Sequence, residues 1–320
     1  MKDKKILITG GAGFIGSNLV KGFLEEGYFV RVLDNLSTGS KSNIKEFLDN
    51  SNFEFVEGDI RDFDLVLNLT KDVNYISHQA ALGSVPRSID DPLTSNDVNI
   101  SGTLNLFYAA KENKIKRVVY AASSSTYGDS PNLPKVEDII GNPLSPYAVT
   151  KYVNELYANV FARTYNTDII GLRYFNIFGP KQNPKGAYAA VIPLFFDAIL
   201  NENAVKINGD GTQSRDFTYV ENAVQANIRA IEAPSEAGNN VYNIACGEQT
   251  SLLELYKLIS EIADKKSEPI FGPERVGDVK HSLANIDRAR KFIHYTPEFD
   301  IRAGLIHAYD WYKNSLLVKP

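Results

Sequence analysis

Short apolar runs alternate with amphipathic stretches through the first half of the chain. Lys4-Lys5-Ile6-Leu7-Ile8 reads as a buried strand. Phe14, Ile15, Leu19, Val20, Phe23 and Leu24 follow at helical spacing, with a stop at Gly27. Tyr28 to Leu33 reads as a second strand ending at Asp34, and Phe53 to Val56 as a third, followed by Asp59-Ile60. A fourth, Val73 to Ser77, ends at His78-Gln79-Ala80-Ala81, and a long helix is expected through Asn105, Leu106 and Ala109. Ile115 to Ala121 is a fifth strand, running into Ser123-Ser124-Ser125. Pro131, Pro134, Pro143 and Pro146 then mark a loop, and Ser145 caps a helix continuing through Val153, Leu156, Tyr157, Val160 and Phe161. Ile169 to Leu172 is a sixth strand. Such alternation predicts an α/β fold with a doubly wound parallel sheet.

Thr9-Gly10-Gly11-Ala12-Gly13-Phe14-Ile15-Gly16 lies on the turn from the first strand into the first helix. Glycines there permit a tight bend and close backbone approach to a pyrophosphate, which the helix N-terminus can bind. The spacing is G-x-x-G-x-x-G, against the common G-x-G-x-x-G. Asp34 stands about 20 positions beyond the turn, where an acidic residue holds the adenosine ribose. Together they predict a Rossmann-type dinucleotide site, and Asp34 favours NAD over NADP because a 2′-phosphate would meet a carboxylate. Past Asn176 the alternation loosens into shorter pieces, broken at Asn208-Gly209-Asp210-Gly211 and Gly272-Pro273. The expected division is an NAD-binding domain at 1–175, with a return segment at 217–245, and a mainly substrate-binding lobe at 176–320. That lobe is expected to cover the carboxyl edge of the sheet.

Composition narrows the function classes. A net charge of −5 gives no basic excess for nucleic acid or an anionic membrane, so an anionic substrate would need local arginines. Cys246 is the one cysteine, which excludes an intrachain disulfide and fits a reducing cytoplasm. No signal peptide or membrane-spanning run is evident. His78, His281, His294 and His307 lack metal-ligand spacing, so no metal is expected, and His78 reads as a packing residue.

Tyr147 and Lys151 stand four apart on a predicted helix and share one face. An ammonium beside a phenol favours phenolate, so the pair can shuttle a proton. A serine from the cluster ending strand five can share a hydrogen bond with a substrate hydroxyl there.

These features resemble the extended short-chain dehydrogenase/reductase superfamily, over essentially the whole chain. The matching segments are the glycine turn, Asp34, Asp59-Ile60, His78-Gln79-Ala80-Ala81, Ser123, Tyr147-Ala148-Val149-Thr150-Lys151 and Arg173-Tyr174-Phe175-Asn176. The resemblance implies a catalytic triad of Ser123, Tyr147 and Lys151, with Ser124 and Ser125 as neighbouring choices for the serine. It also implies NAD bound by Gly10, Gly13, Phe14, Ile15, Gly16, Asp34, Asn35, Ser37, Thr38, Gly39, Asp59, Ile60, Gln79, Ala80, Ala81, Asn99, Tyr147, Lys151 and Tyr174.

Within the superfamily, Gly83 to Ser88, Ala122 to Asp129 and Gly186 to Pro193 are similar to the UDP-hexose 4-epimerases, and more narrowly to the UDP-N-acetylglucosamine 4-epimerase branch. That likeness implies UDP-sugar contacts from Ser84, Arg87, Ser123, Ser124, Asn176, Ala190, Val191, Asn208, Arg215, Arg275, Asp278 and Ser282. Arg215 and Arg275 would hold the diphosphate and Asp278 the uridine ribose; the role of Lys206 stays open. A small residue at Ser282 would admit an N-acetyl group where a tyrosine would not. Sugar-nucleotide dehydratases carry an Asp-Glu pair where Ser124-Ser125 stand, which disfavours removal of water. A uronate epimerase, a decarboxylase and a non-catalytic NAD-sensing protein remain as other readings. A homodimer is expected through the helices near Leu104 and Val153.

Overall fold

The computed structural model describes residues 4–184, 189–265, 267–273 and 280–317. β1 (Lys5–Thr9) leads into α1 (Phe14–Glu25), followed by β2 (Phe29–Asp34), β3 (Phe53–Glu57), α2 (Phe63–Leu69) and β4 (Tyr75–His78). After α3 (Val85–Asp90), α4 (Pro92–Asn96) and α5 (Gly102–Glu112) come β5 (Arg117–Ser123), α6 (Pro146–Tyr165) and β6 (Ile169–Tyr174). The remaining elements are shorter on average: β7 (Ile177–Phe178), α7 (Val191–Leu200), β8 (Val205–Asn208), β9 (Ser214–Arg215), β10 (Thr218–Tyr219), α8 (Val220–Glu232), β11 (Val241–Ile244), β12 (Thr250–Ser251), α9 (Leu252–Ala263), β13 (Pro269–Gly272), α10 (Asp287–Ile293) and α11 (Ile301–Leu317).

A parallel sheet in the order β11-β6-β5-β4-β1-β2-β3 forms the centre, with the order reversing beside β1. Its strands are rich in Val, Ile and Phe and buried from both faces, as a parallel sheet requires. One face packs α1 and α8, the other α2, α5 and α6. A Cβ on Gly22 of α1 would come within 2.4 Å of the Val224 side chain of α8, so glycine sets how closely these helices approach. Through α8 the chain returns to the sheet, and β11 pairs with β6 in parallel. A third cluster joins α7, α9 and α11, where Phe196 and Tyr312 stack with ring centroids 4.5 Å apart.

One expectation from the sequence needs correction. Several strands end later than their apolar runs: β1 takes in Thr9, β4 takes in His78, and β5 takes in Ala122 and Ser123. Thr9, His78 and Ser123 are buried and keep the ladder register (Thr9 opposite His78, Ser123 opposite Tyr174). Hydrophobic periodicity cannot register a polar residue at the end of a strand. The long helix expected after strand four is present and runs without a break from Pro92 to Glu112, but a separate short helix, α3, precedes it. Ser84 Oγ accepts from Arg87 N and Asp91 Oδ1 from Thr94 N, so each starts its own helix, with Pro86 and Pro92 in the respective first turns. Proline fits a first helical turn and disrupts an interior, so two prolines impose two starts. A π-helical turn at Asp97–Ser101 then leads into α5.

Candidate active site

The glycine turn is dictated by contact distances. Gly10 has φ +71°, and a Cβ there would lie 2.7 Å from Ala80 N; a Cβ on Gly16 would lie 2.1 Å from the Gly10 carbonyl oxygen. α1 starts after Gly13 without a side-chain cap, so its first-turn N–H groups and positive dipole end stay available to an anion. At the end of β2, Asp34 accepts from Ala12 N (2.9 Å) and Leu36 N (2.8 Å). Burial pushes its pKa up and the two backbone donors oppose the rise. A groove of about 440 Å³ runs from this turn along the carboxyl edge. Its lining includes Gly10, Gly13 to Gly16, Asp34, Asn35, Ser37, Thr38, Asp59, Ile60, Gln79 to Ala81, Ser123, Tyr147, Lys151, Tyr174 and Asn176.

Tyr147 and Lys151 lie on the first turns of α6. Ser145 Oγ accepts from Ala148 N (3.1 Å), and Ser88 Oγ of α3 accepts from Tyr147 N (3.0 Å), which fixes where the helix begins. Lys151 is buried; its Nζ donates to the Ala121 carbonyl (2.8 Å) and lies 5.9 Å from the Tyr147 ring centroid. Burial lowers the Lys151 pKa to about 8. Burial around the Tyr147 hydroxyl raises its pKa, against which the Ser123 hydroxyl acts. The Ser123 hydroxyl is the chain group that opposes the desolvation cost. His78 is different: Thr9 Oγ1 (2.6 Å) and Thr103 Oγ1 (2.9 Å) occupy both ring nitrogens, and burial first, then the Lys151 charge, drive its pKa down to about 3. It is a neutral packing residue.

Asn176 lines the groove and two further cavities, which makes it the junction of the site. It holds φ +38° and donates to the Asp216 carbonyl (3.0 Å). One cavity, about 300 Å³, is lined by Ala190, Val191, Lys206, Asn208 and Arg215 among others. The other, about 250 Å³, takes in Ser123, Ser124, Ser125, Lys135, Arg215 and Ser282. Arg215 Nη1 donates to the carbonyls of Ser214 (2.9 Å) and Lys280 (3.2 Å).

The family model for the NAD dependent epimerase/dehydratase family matches residues 6–245. The chain belongs to that family. The UDP-glucose 4-epimerase of Mycolicibacterium smegmatis is 37% identical to this family member over 312 residues, covering 97% of this chain and 99% of the relative. Among solved structures, the UDP-N-acetylglucosamine 4-epimerase of Methanobrevibacter ruminantium, in complex with UDP-N-acetylmuramic acid, is 41% identical with a TM-score of 0.92. It covers 98% of this chain and 100% of its own. The UDP-glucose 4-epimerase of Thermotoga maritima, with UDP-glucose, is 35% identical with a TM-score of 0.92, covering 98% and 99%.

NAD is therefore the cofactor, and the groove suits it. The uncapped α1 N-terminus matches a diphosphate, the turn leaves no room for a side chain at Gly10 or Gly16, and Asp34 sits where ribose hydroxyls need an acceptor.

Not every residue expected at the cofactor reaches the groove of this epimerase-family protein. Asn99 is buried; its amide bonds the Leu82 backbone at N and O and donates to Thr150 Oγ1, so it shapes the loop after β4. Gly39 packs on the Ala12 backbone, where a Cβ would come within 2.8 Å. Ser84 and Arg87 belong to the N-terminal cap of α3, next to Val85, which lines the 250 Å³ cavity. Arg275 and Asp278, and the Gly186-Ala187-Tyr188 segment, lie outside the described residues.

Sequence reasoning missed Asp216. Its buried carboxylate accepts from Cys246 N (2.9 Å), Gly247 N (3.0 Å) and Ala284 N (3.2 Å), pinning the segments that carry Arg215 and Ser282. Burial raises its pKa to about 7. An acid between Arg215 and Phe217 was visible, but its partners are remote in sequence. Among the described residues no metal-binding group of His, Cys, Asp and Glu is present, and no helix is long and apolar enough to cross a membrane.

Proposed function

We propose that the protein interconverts UDP-N-acetylglucosamine and UDP-N-acetylgalactosamine by inverting C4, and also accepts UDP-glucose and UDP-galactose. The observation that carries this reading is Ser282, a small side chain lining the same cavity as Ser123. The named activities of the similar epimerases support the reaction class, and the Methanobrevibacter enzyme supports the acetylated sugar.

In this reading Tyr147, as phenolate, takes the proton of the sugar 4-hydroxyl while Ser123 donates a hydrogen bond to the same oxygen. Bound NAD supplies a reversible acceptor for the C4 hydride. Lys151 keeps its charge beside the phenolate and holds the nicotinamide ribose. Arg215 and Asn176 anchor the diphosphate, together with Arg275, while Asp278 holds the uridine ribose. The 4-keto sugar turns about that anchor, receives its hydrogen on the opposite face, and takes the proton back from Tyr147. The reaction is redox-neutral overall, so cofactor retention serves it.

Dehydration is disfavoured because Ser124 and Ser125 line the sugar cavity and no carboxylate does among the described residues. The proposed division assigns 1–175 with 217–245 to NAD and the rest of 176–320 mainly to the sugar nucleotide. A homodimer is proposed through α5 and α6, which pack side by side and expose Tyr108, Val149, Leu156 and Val160. Incubation with UDP-N-acetylglucosamine and UDP-glucose separately, without added NAD, tests the function. Formation of the N-acetylgalactosamine epimer is expected; absence of any C4 epimer from either sugar overturns the reading.

A further inference from the structure

Behind the wall of the groove lies a closed ring of polar side chains that the reaction above does not use. Asn227 of α8 is fully buried and lines neither the groove nor the two cavities beside it. Its Nδ2 donates to the Tyr174 hydroxyl (2.7 Å) and to the Ala223 carbonyl (2.8 Å). Its Oδ1 accepts from Ser77 Oγ (3.1 Å) and from Gln79 Nε2 (3.3 Å). Tyr174 donates in turn to Gln79 Oε1 (3.2 Å), and Gln79 Nε2 also donates to Ser77 Oγ (3.0 Å). Tyr174 and Gln79 line the groove, and Tyr174 stands opposite Ser123 in the ladder. The ring therefore backs the end of the groove that carries Ser123, Tyr147 and Lys151, on the other side of β1 from β2 and Asp34.

One backbone group sets the direction of these bonds. The Ala223 carbonyl can only accept, so the Asn227 amide turns its nitrogen toward it; the reverse setting would bring two acceptor oxygens together. Tyr174 then receives from Asn227 and gives its own hydrogen to Gln79 Oε1, which leaves Gln79 Nε2 facing Ser77 and Asn227 Oδ1. Burial pushes the Tyr174 pKa up to about 12, so that hydrogen stays in place at neutral pH. Asn227 uses both donors and both acceptor positions. A fully satisfied buried network holds its members in one arrangement. Packing alone would be served by an aliphatic side chain, as at Ala223, Val224, Ala226, Ala230 and Ile231 of the same helix.

We propose that Asn227 is a positioning residue for the cofactor. It acts at one remove, holding the Tyr174 hydroxyl and the Gln79 amide in a single setting and so fixing the groove wall against which the reactive end of NAD binds. This inference rests on the reading above, in which a hydride leaves C4 and returns to it. A wall held in one setting serves both transfers.

Asn227→Leu keeps the side-chain volume and removes all four bonds; Asn227→Asp keeps the shape and loses both donors. Tyr174→Phe keeps the ring and deletes only the hydroxyl. Each holoenzyme is scored by the rate of NAD loss on dilution. Each is also scored, after borohydride reduction of the bound cofactor, by the fluorescence emission of the dihydronicotinamide. Neither readout needs a sugar. Both Asn227 variants should lose NAD about three- to tenfold faster and shift the emission. Their kcat should fall by about the same factor, with the KM for UDP-N-acetylglucosamine unchanged. Because Asn227 acts through Tyr174, Asn227→Leu should add little to Tyr174→Phe in the double variant. A variant that melts lower yet keeps wild-type NAD loss and emission while folded makes Asn227 a packing residue and overturns the proposal, and so do fully additive effects. If neither Asn227 variant folds, Tyr174→Phe decides: wild-type NAD loss and emission overturn the proposal, and a change in both supports it. Failure of wild type to form any C4 epimer counts against the epimerase reading alone, since NAD loss and emission still judge Asn227.

Discussion

Ser125 Oγ donates to Ser123 Oγ at 2.9 Å, and the Ser125 backbone N–H reaches the same oxygen at 3.1 Å. Both acceptor positions of Ser123 are thereby occupied, which leaves its own hydrogen to point toward Tyr147 and the sugar. Ser123 is thus set up as a donor. Ser125→Ala should lower kcat about three- to tenfold by releasing that orientation. Ser123→Ala should cost more, and Tyr147→Phe about 10²- to 10⁴-fold with the fold intact. Turnover of UDP-N-acetylglucosamine checks the order; near-normal activity in Tyr147→Phe would remove the proton shuttle.

Lys151 links activity to pH and stability in opposite senses. Burial holds its pKa at about 8, below the ordinary 10.5. A depressed lysine opposes folding while it is charged. That penalty is in force below pH 8 and lifts as pH rises toward 10.5, because the unfolded chain still binds the proton the native state has released. Lys151→Met should therefore melt higher than wild type at pH 7, with the advantage shrinking toward pH 10.5, while losing most of its turnover. In wild type the site loses its first proton near pH 8, at Lys151, while Tyr147 holds its own to higher pH, so the two limbs of the kcat/KM profile should belong to the coupled Tyr147–Lys151 pair rather than to either residue. A melting temperature for Lys151→Met no higher than wild type at pH 7 would contradict the assigned cost.

Ser282 gives the sharpest test of sugar selectivity. Ser282→Tyr should abolish turnover of UDP-N-acetylglucosamine and spare UDP-glucose, because a phenol would fill the space the acetamide needs. Equal survival of both activities, scored by the C4 epimers formed, would show that selectivity lies elsewhere.

The loop after β7 is tied across to the adenosine side of the groove. Lys181 Nζ donates to the Asn43 carbonyl (2.8 Å), pairs with Glu46 (2.9 Å) and stands 5.3 Å over Phe47, while Asn18 Nδ2 donates to the Pro180 carbonyl (3.2 Å). Glu46 is exposed, so the carbonyl bond and the ring contact matter more than the ion pair. Lys181→Ala should speed NAD loss roughly three- to tenfold. NAD retained after gel filtration measures this, and unchanged retention would mean that the strap does not hold the cofactor.

The exposed apolar positions Val149, Leu156 and Val160 recur at heptad-like spacing along one face of α6. Val160→Glu should convert the proposed dimer to a monomer in light scattering. A wild-type monomer, or a variant that stays dimeric, would remove the helix-pair interface.

Much of this protein was already decided by local sequence. Gly10, Gly13 and Gly16 on a strand-to-helix turn, with Asp34 after the next strand, specify a dinucleotide groove because close backbone approach and a ribose acceptor are needed at fixed positions. Tyr147 and Lys151 share a face because a helix repeats every 3.6 residues. What only the tertiary structure decided depends on residues remote in sequence. The separate short helix α3 and the polar ends of β1, β4 and β5 escaped apolar periodicity. The retreat of Asn99 from the groove depends on Leu82 and Thr150, and the role of Asp216 on Cys246, Gly247 and Ala284. Periodicity and turn chemistry act over a few residues, whereas burial and charge pairing are properties of the assembled core.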